Sequence, residues 1–177
     1  AYGDGGAILT NDESLALKCR KIANHGRVEK YNHMMEGRNS RLDGLQAAVL
    51  NVKLNYLDSW IGCRNEVAAR YSNGFSEQKG IILPTVRSGL RHAYHLYVIR
   101  TSVRNELQDY LRQQSIQTGI HYPIALPKLQ AYEYLNQASE DMVANQIDSE
   151  LLSLPMGEHL EESEAETVIE AVNRFFA

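Results

Sequence analysis

The chain has 177 residues, 44% of them hydrophobic and 23% charged, enough apolar material for one domain or one small domain joined to part of another. A formal net charge of −4 and the lack of any Lys/Arg-rich block argue against a nucleic-acid partner. No apolar run approaches the roughly 18 residues of a membrane span and no signal peptide is visible, so no membrane partner is expected and a cytoplasmic protein is the default.

Residues 7–9 (Ala-Ile-Leu) read as a short strand that follows a Gly-rich turn, Gly3 to Gly6. Thr10 and Glu13 have capping-box spacing, and Leu15, Cys19, Ile22 and Ala23 recur at helical spacing up to a stop at Gly26. A polar, aperiodic loop then runs from His25 to Arg41, a length that often carries function. From Leu42 to Tyr71 one apolar stripe (Leu42, Leu45, Val49, Val52, Tyr56, Trp60, Val67, Tyr71) predicts a single long helix of about 45 Å with a bend near Gly62. Ser72-Asn73-Gly74 ends it.

The composition changes near Gly80. Residues 81–83 and 93–99 read as strands, and Ser102 is placed to cap a helix through Leu107 and Leu111. Residues 116–122 alternate as a third strand. Ser139 is placed to cap a helix reaching Leu151 and Leu152, with Glu140 and Asp141 in its first turn. Ser163 and Glu166 open the last helix, whose apolar face is Val168, Ile169, Val172, Phe175 and Phe176. This order predicts an α/β protein with a long bridging helix and a compact C-terminal α+β layer.

Chemistry has few places to sit. The glycines at Gly3 to Gly6 precede their strand, so they fit neither a Walker loop nor a dinucleotide fingerprint and read as a turn. In Gly37 to Asp43, at the mouth of the long helix, the amide of Asn39 and the guanidinium groups of Arg38 and Arg41 could bind an anion beside free backbone N–H groups, or Asn39 or Ser40 could be an ordinary cap with the arginines in water. His121 and Tyr122 would point to opposite faces of a strand and converge only where it ends, at Pro123. The other histidines, His33 among them, have no ligand spacing, and Cys19 and Cys63 read as reduced thiols near a core, so no metal site is expected.

Taken in order, AYGDGGAILTND, NHG, RNSRLDGLQAAVLNVKLNYLD, YHLYVIR, TGIHYPIALPKLQAYEYL and LLSLPM resemble the pyridoxal-phosphate-dependent sugar aminotransferases of the DegT/DnrJ/EryC1/StrS family. The resemblance implies an aspartate-aminotransferase-like fold working as a homodimer. It divides the chain into the end of a large cofactor-binding domain (1–41), a bridging and dimerisation helix (42–74) and a small C-terminal α/β domain (75–177). The implied reaction moves an amino group, from glutamate, to a keto carbon of a nucleotide-linked sugar, and GDGGAI is similar to members acting at C3.

In the family's Asn-x-Arg motif, matched by Asn39 and Arg41, the asparagine binds the cofactor phosphate in the partner subunit and the arginine faces the substrate. The family's His-Tyr-Pro matches His121, Tyr122 and Pro123 and lines the nucleotide-sugar pocket, while His33 falls near a position that approaches the sugar. Pro127 stands where many members carry a further histidine. None of the six lysines, Lys18, Lys21, Lys30, Lys53, Lys79 and Lys128, matches the family's Schiff-base lysine, which precedes the opening stretch. The chain alone therefore offers no catalytic residue, and is expected to be inactive in isolation. The alternative is a non-catalytic dimerising or scaffold module that keeps the small domain's shape.

Overall fold

The computed structural model describes residues 2–139 and 141–177. Its Cα framework separates into two units, with the division between Leu57 and Asp58.

In the first unit, residues 7–9 do not form the expected strand. Nothing pairs with them among the described residues, and Ile8 and Leu9 are 72% and 93% exposed. A strand exists only through a neighbour that takes up its backbone groups. Helix α1 (Glu13–Ala23) follows, and its cap is Asp12, not Thr10. The Asp12 carboxylate accepts from the amides of Ser14 (2.9 Å) and Leu15 (3.1 Å), while Thr10 Oγ1 accepts from the Asp12 amide at 3.1 Å. The Leu15 amide, then the Ser14 side chain, hold the Asp12 carboxyl below the usual range.

The single long helix is instead two, α2 (Gly44–Leu54) and α3 (Leu57–Gly74). The interruption lies at Asn55 and Tyr56, because the Asn55 side-chain Nδ2 donates to the carbonyls of Asn51 (3.1 Å) and Val52 (3.3 Å) and competes with the backbone ladder. Gly62, where the bend was expected, lies inside α3. Neither α1 nor α2 buries a residue, and Leu45, Val52 and Leu54 of α2 are exposed.

The second unit is built on a two-stranded antiparallel pair, β1 (Tyr97–Arg100) and β2 (Leu151–Leu154), in the register Tyr97 with Leu154 and Ile99 with Leu152. Two of the predicted strands shrink to single bridges at its margins, Ile82 with Arg100 on one side and Gly119 with Ser153 on the other. Residues 93–96 stay outside β1: the Tyr94 amide bonds His92 Nδ1 at 3.0 Å, and Tyr94 has φ +45°, which closes a turn there. The helix expected from Ser139 to Leu152 is only α5 (Val143–Ile147), after which the chain turns into β2; Glu140 of that expectation lies outside the described residues. Leu152 and Leu154 are buried against Ile99 and Tyr97, and that pairing makes the segment a strand.

Helices α4 (Arg104–Gln113) and α6 (Glu162–Phe175) bury Leu107, Leu111, Val168 and Val172 in the same core as Val67, Tyr71 and Phe75. Their predicted caps shift by one or two residues. Val103, not Ser102, stands at the start of α4, and the box at α6 is Glu161 with Glu164 in place of Ser163 with Glu166. The Glu161 amide bonds the Glu164 carboxylate at 2.8 Å, closing that box. Both cysteines are free, and Cys63, expected near a core, is exposed.

Candidate functional site

The sequence-predicted residues fall into two constellations, one in each unit. In the first, α1 ends in a loop that folds back on it. The amides of Arg38 and Ser40 bond the carbonyls of Ile22 (2.7 Å) and Ala23 (2.9 Å), and the His25 amide bonds Arg38 O at 2.9 Å. Two glycines permit this. Gly26 has φ +77° and a Cβ there would lie 1.6 Å from Met35 O, while a Cβ on Gly37 would lie 2.1 Å from the Gly26 nitrogen.

This fold-back presents His33 and Asn39 from one loop. His33 Nδ1–H donates to the His25 carbonyl at 2.7 Å, which leaves Nε2 as its outer atom. Arg41 Nε donates to Asn39 Oδ1 at 2.9 Å, and both side chains are exposed. That bond engages the acceptor of Asn39. Besides the second lone pair of that oxygen, what remains on the pair is the Asn39 NH2 and the two terminal guanidinium nitrogens, which are donors. Helix α2 starts after Asp43, whose side chain makes no capping bond, so these donors lie ahead of the first turn and not upon it.

In the second unit, Gly119 is the last residue of its segment that pairs with β2, so the chain is free to turn at His121 and Tyr122. Their rings meet edge-on, 5.7 Å apart at 78°. His121 Nδ1 lies 2.9 Å from Ser153 Oγ. Tyr122 is 74% exposed and stands at the rim of a cavity of about 550 Å³ lined by Ile124, Leu126, Leu129, Ile147 and Leu151. Asp148 forms part of the same wall. Its carboxylate accepts from the Ala125 amide and from Lys128 Nζ, all at 3.0 Å, and Lys128 also donates to the Asn145 carbonyl. The Ala125 bond first, then Lys128, hold the Asp148 carboxyl below the usual range.

Sequence reasoning gives no role to Ser153, Gly119, Asp148 or Asn145, and places Lys128 only among the lysines without a catalytic match. LLSLPM stands out as a motif, but nothing local shows that its serine meets a histidine 32 residues earlier.

Residues 1–173 match the model of the DegT/DnrJ/EryC1/StrS aminotransferase family. The chain is 46% identical, over 97% of its length, to dTDP-3-amino-3,6-dideoxy-alpha-D-galactopyranose transaminase of Aneurinibacillus thermoaerophilus, of which it covers 47%. It is 40% identical, over 98% of its length, to dTDP-3-amino-3,4,6-trideoxy-alpha-D-glucose transaminase of Streptomyces venezuelae, of which it covers 46%. Among solved structures it is similar to S. venezuelae DesV in complex with a ketimine intermediate, with TM-score 0.89 and 38% identity, covering 94% of this chain and 45% of that one. The chain spans about half the length of the curated relatives it matches.

Proposed function

The chain belongs to the DegT/DnrJ/EryC1/StrS aminotransferase family, and from that premise we propose that it is part of a cytoplasmic enzyme that moves an amino group from glutamate to C3 of a nucleotide-linked keto sugar. The C3 position rests on the relatives at 46% and 40% identity, both named for 3-amino sugars carried on dTDP. In this reading, residues 1–41 close the large cofactor domain, 42–74 bridge to a partner, and 75–177 form the small domain.

The observation that carries it is the Asn39–Arg41 pair. One bond between them occupies Asn39 Oδ1, and the exposed edge presents chiefly N–H donors. Such an edge suits a phosphate or diphosphate. The residues therefore fit pyridoxal phosphate: Asn39 holds its phosphate across a homodimer, and Arg41 faces the substrate. When bound, the cofactor supplies the electron sink for the transfer. In the second unit His121 and Tyr122 are assigned to the nucleotide sugar, and in the first unit His33 is assigned to the substrate by the family motif alone. The exposed apolar residues Leu45, Val52 and Leu54 of α2 suit burial against a second copy. No Schiff-base role is assigned to the six lysines present, so the chemistry needs residues beyond these 177.

The test uses the longer polypeptide that carries this chain, given a dTDP-3-keto sugar, glutamate and pyridoxal phosphate. A glutamate-dependent amino sugar is the expected product. Asn39→Ala is expected to weaken cofactor binding about tenfold or more, and Arg41→Ala to raise KM for the sugar with cofactor affinity kept. Dimerisation without any amine product would favour the scaffold reading, which would use the same α2 face.

A further inference from the structure

Ser153 is 4% exposed, and its backbone is engaged on the β2 edge: its amide bonds Gly119 O at 2.7 Å and its carbonyl accepts from Gly119 N at 3.0 Å. Leu152 and Leu154 turn into the core, so Ser153 occupies the opposite face of the strand. Among the described residues, its hydroxyl meets one polar group, His121 Nδ1 at 2.9 Å. Were Nδ1 to carry the proton and donate to Ser153 Oγ, the buried serine O–H would have no acceptor left. Buried hydroxyls do not stay unsatisfied without cost. The arrangement that satisfies the hydroxyl runs from the serine O–H to a bare Nδ1.

The ring is also held sterically. A Cβ on Gly119 would sit 2.5 Å from His121 Cε1, so only glycine leaves room for the imidazole to fold back over its own segment. His121 is otherwise exposed, and the atom opposite Nδ1 is Nε2.

We propose that Ser153 is a positioning residue: together with the Gly119 cradle it locks His121 as the Nε2–H tautomer and presents a fixed hydrogen-bond donor to an oxygen acceptor of the ligand seated beside Tyr122. Only the identity of that ligand, a nucleotide sugar, rests on the function proposed above. A donor of fixed direction recognises a phosphate or carbonyl oxygen and rejects another donor in its place.

The experiment is long-range proton–nitrogen NMR, at neutral pH, of the 15N-histidine-labelled longer polypeptide that carries this chain, with His121 assigned through His121→Gln. Wild type is expected to show a protonated Nε2 and an unprotonated, hydrogen-bonded Nδ1. Ser153→Ala should lose the bonded Nδ1 signature and mix the tautomers, and Ser153→Thr, which keeps the hydroxyl, should restore it. Gly119→Ala should lose it with the hydroxyl intact, which keeps the test open should Ser153→Ala fail to fold. A protonated Nδ1 in wild type, or an unchanged His121 signal in Ser153→Ala, overturns the proposal. Titration with dTDP is expected to move the Nε2–H signal, with binding weakened about five- to tenfold in Ser153→Ala. No response to dTDP with the tautomer signature intact would overturn the nucleotide reading and leave the role of Ser153 standing.

Discussion

The Tyr71 hydroxyl donates to the carbonyl of Pro155 at 2.9 Å from a ring with no exposed surface. This bond ties α3 to the residue that follows β2. Beside it, the Tyr97 hydroxyl donates to Ser72 Oγ at 2.9 Å, because the Ser72 proton is already given to Ala68 O at 2.8 Å. The two tyrosines pack 5.1 Å apart between centroids, so helix and strand share one small, fully satisfied polar seam inside an apolar core. Tyr71→Phe keeps the ring and strands the Pro155 carbonyl, and is expected to cost about 1–2 kcal/mol. Tyr71→Ala adds a cavity and should cost about 3–5 kcal/mol. Urea unfolding of the two variants checks the order and the gap.

The same seam sets the alkaline limit. Burial pushes both phenols up, Tyr71 furthest, with the neighbouring Tyr97 adding to the effect. In the unfolded chain they ionise near about 10, while the folded protein still holds their protons. The folded state then binds more protons, so stability is full below about pH 10 and falls as pH rises beyond it. Unfolding midpoints measured from pH 8 to 11 should show the decline, and Tyr71→Phe with Tyr97→Phe should flatten it.

Asp148 gathers one backbone amide and one ammonium on the loop that follows Tyr122. Asp148→Ala strands the Ala125 amide and leaves Lys128 only the Asn145 carbonyl, and is expected to cost about 2–3 kcal/mol. Lys128→Met should cost about 1 kcal/mol, since the lysine is half in solvent and Asp148 keeps the Ala125 amide. The folded Asp148 carboxyl lies below its usual value, so its contribution is present above about pH 4 and disappears as pH falls further. Denaturation at pH 7 and pH 3 should show the Asp148→Ala penalty shrinking in acid.

Gly26→Ala would force a side chain into a positive-φ position already occupied by the Met35 carbonyl. The expected result is local: the amides of Met34, Arg38 and Ser40 lose hydrogen-exchange protection while those of β1 and β2 keep theirs. Equal loss in both groups would show that the two units unfold together.

Much of the helical content was legible from the residues alone. The apolar periods of α1, α4 and α6 and the glycine that stops α1 are near-neighbour features, and a helix closes its hydrogen bonds within four residues. Caps were misplaced by one or two positions because Thr10, Asp12, Ser102, Ser163 and Glu161 all offer an oxygen at a plausible spacing, and only backbone geometry selects among them. The helix break was missed for a similar reason: the Asn55 side chain reaches back to carbonyls that the apolar stripe gives no hint of.

The sheet could not be read in this way. Residues 7–9, 81–83 and 116–122 carry strand-like patterns, yet the first finds no partner among the described residues and the others keep one bridge each. Leu151 and Leu152, expected at the end of a helix capped by Ser139, lie in a strand because Ile99 and Tyr97 wait across the ladder. For the candidate site, the residue types at Asn39, Arg41, His121 and Tyr122 stand in plain view as motifs. Their partners do not: the hydroxyl facing His121 and the carboxylate facing Lys128 are 32 and 20 residues away along the chain. Motifs, periods and turn chemistry are local and survive in a linear string. Register, burial and the choice of hydrogen-bond partner exist only once distant segments have closed on one another, and it is those that orient a side chain for chemistry.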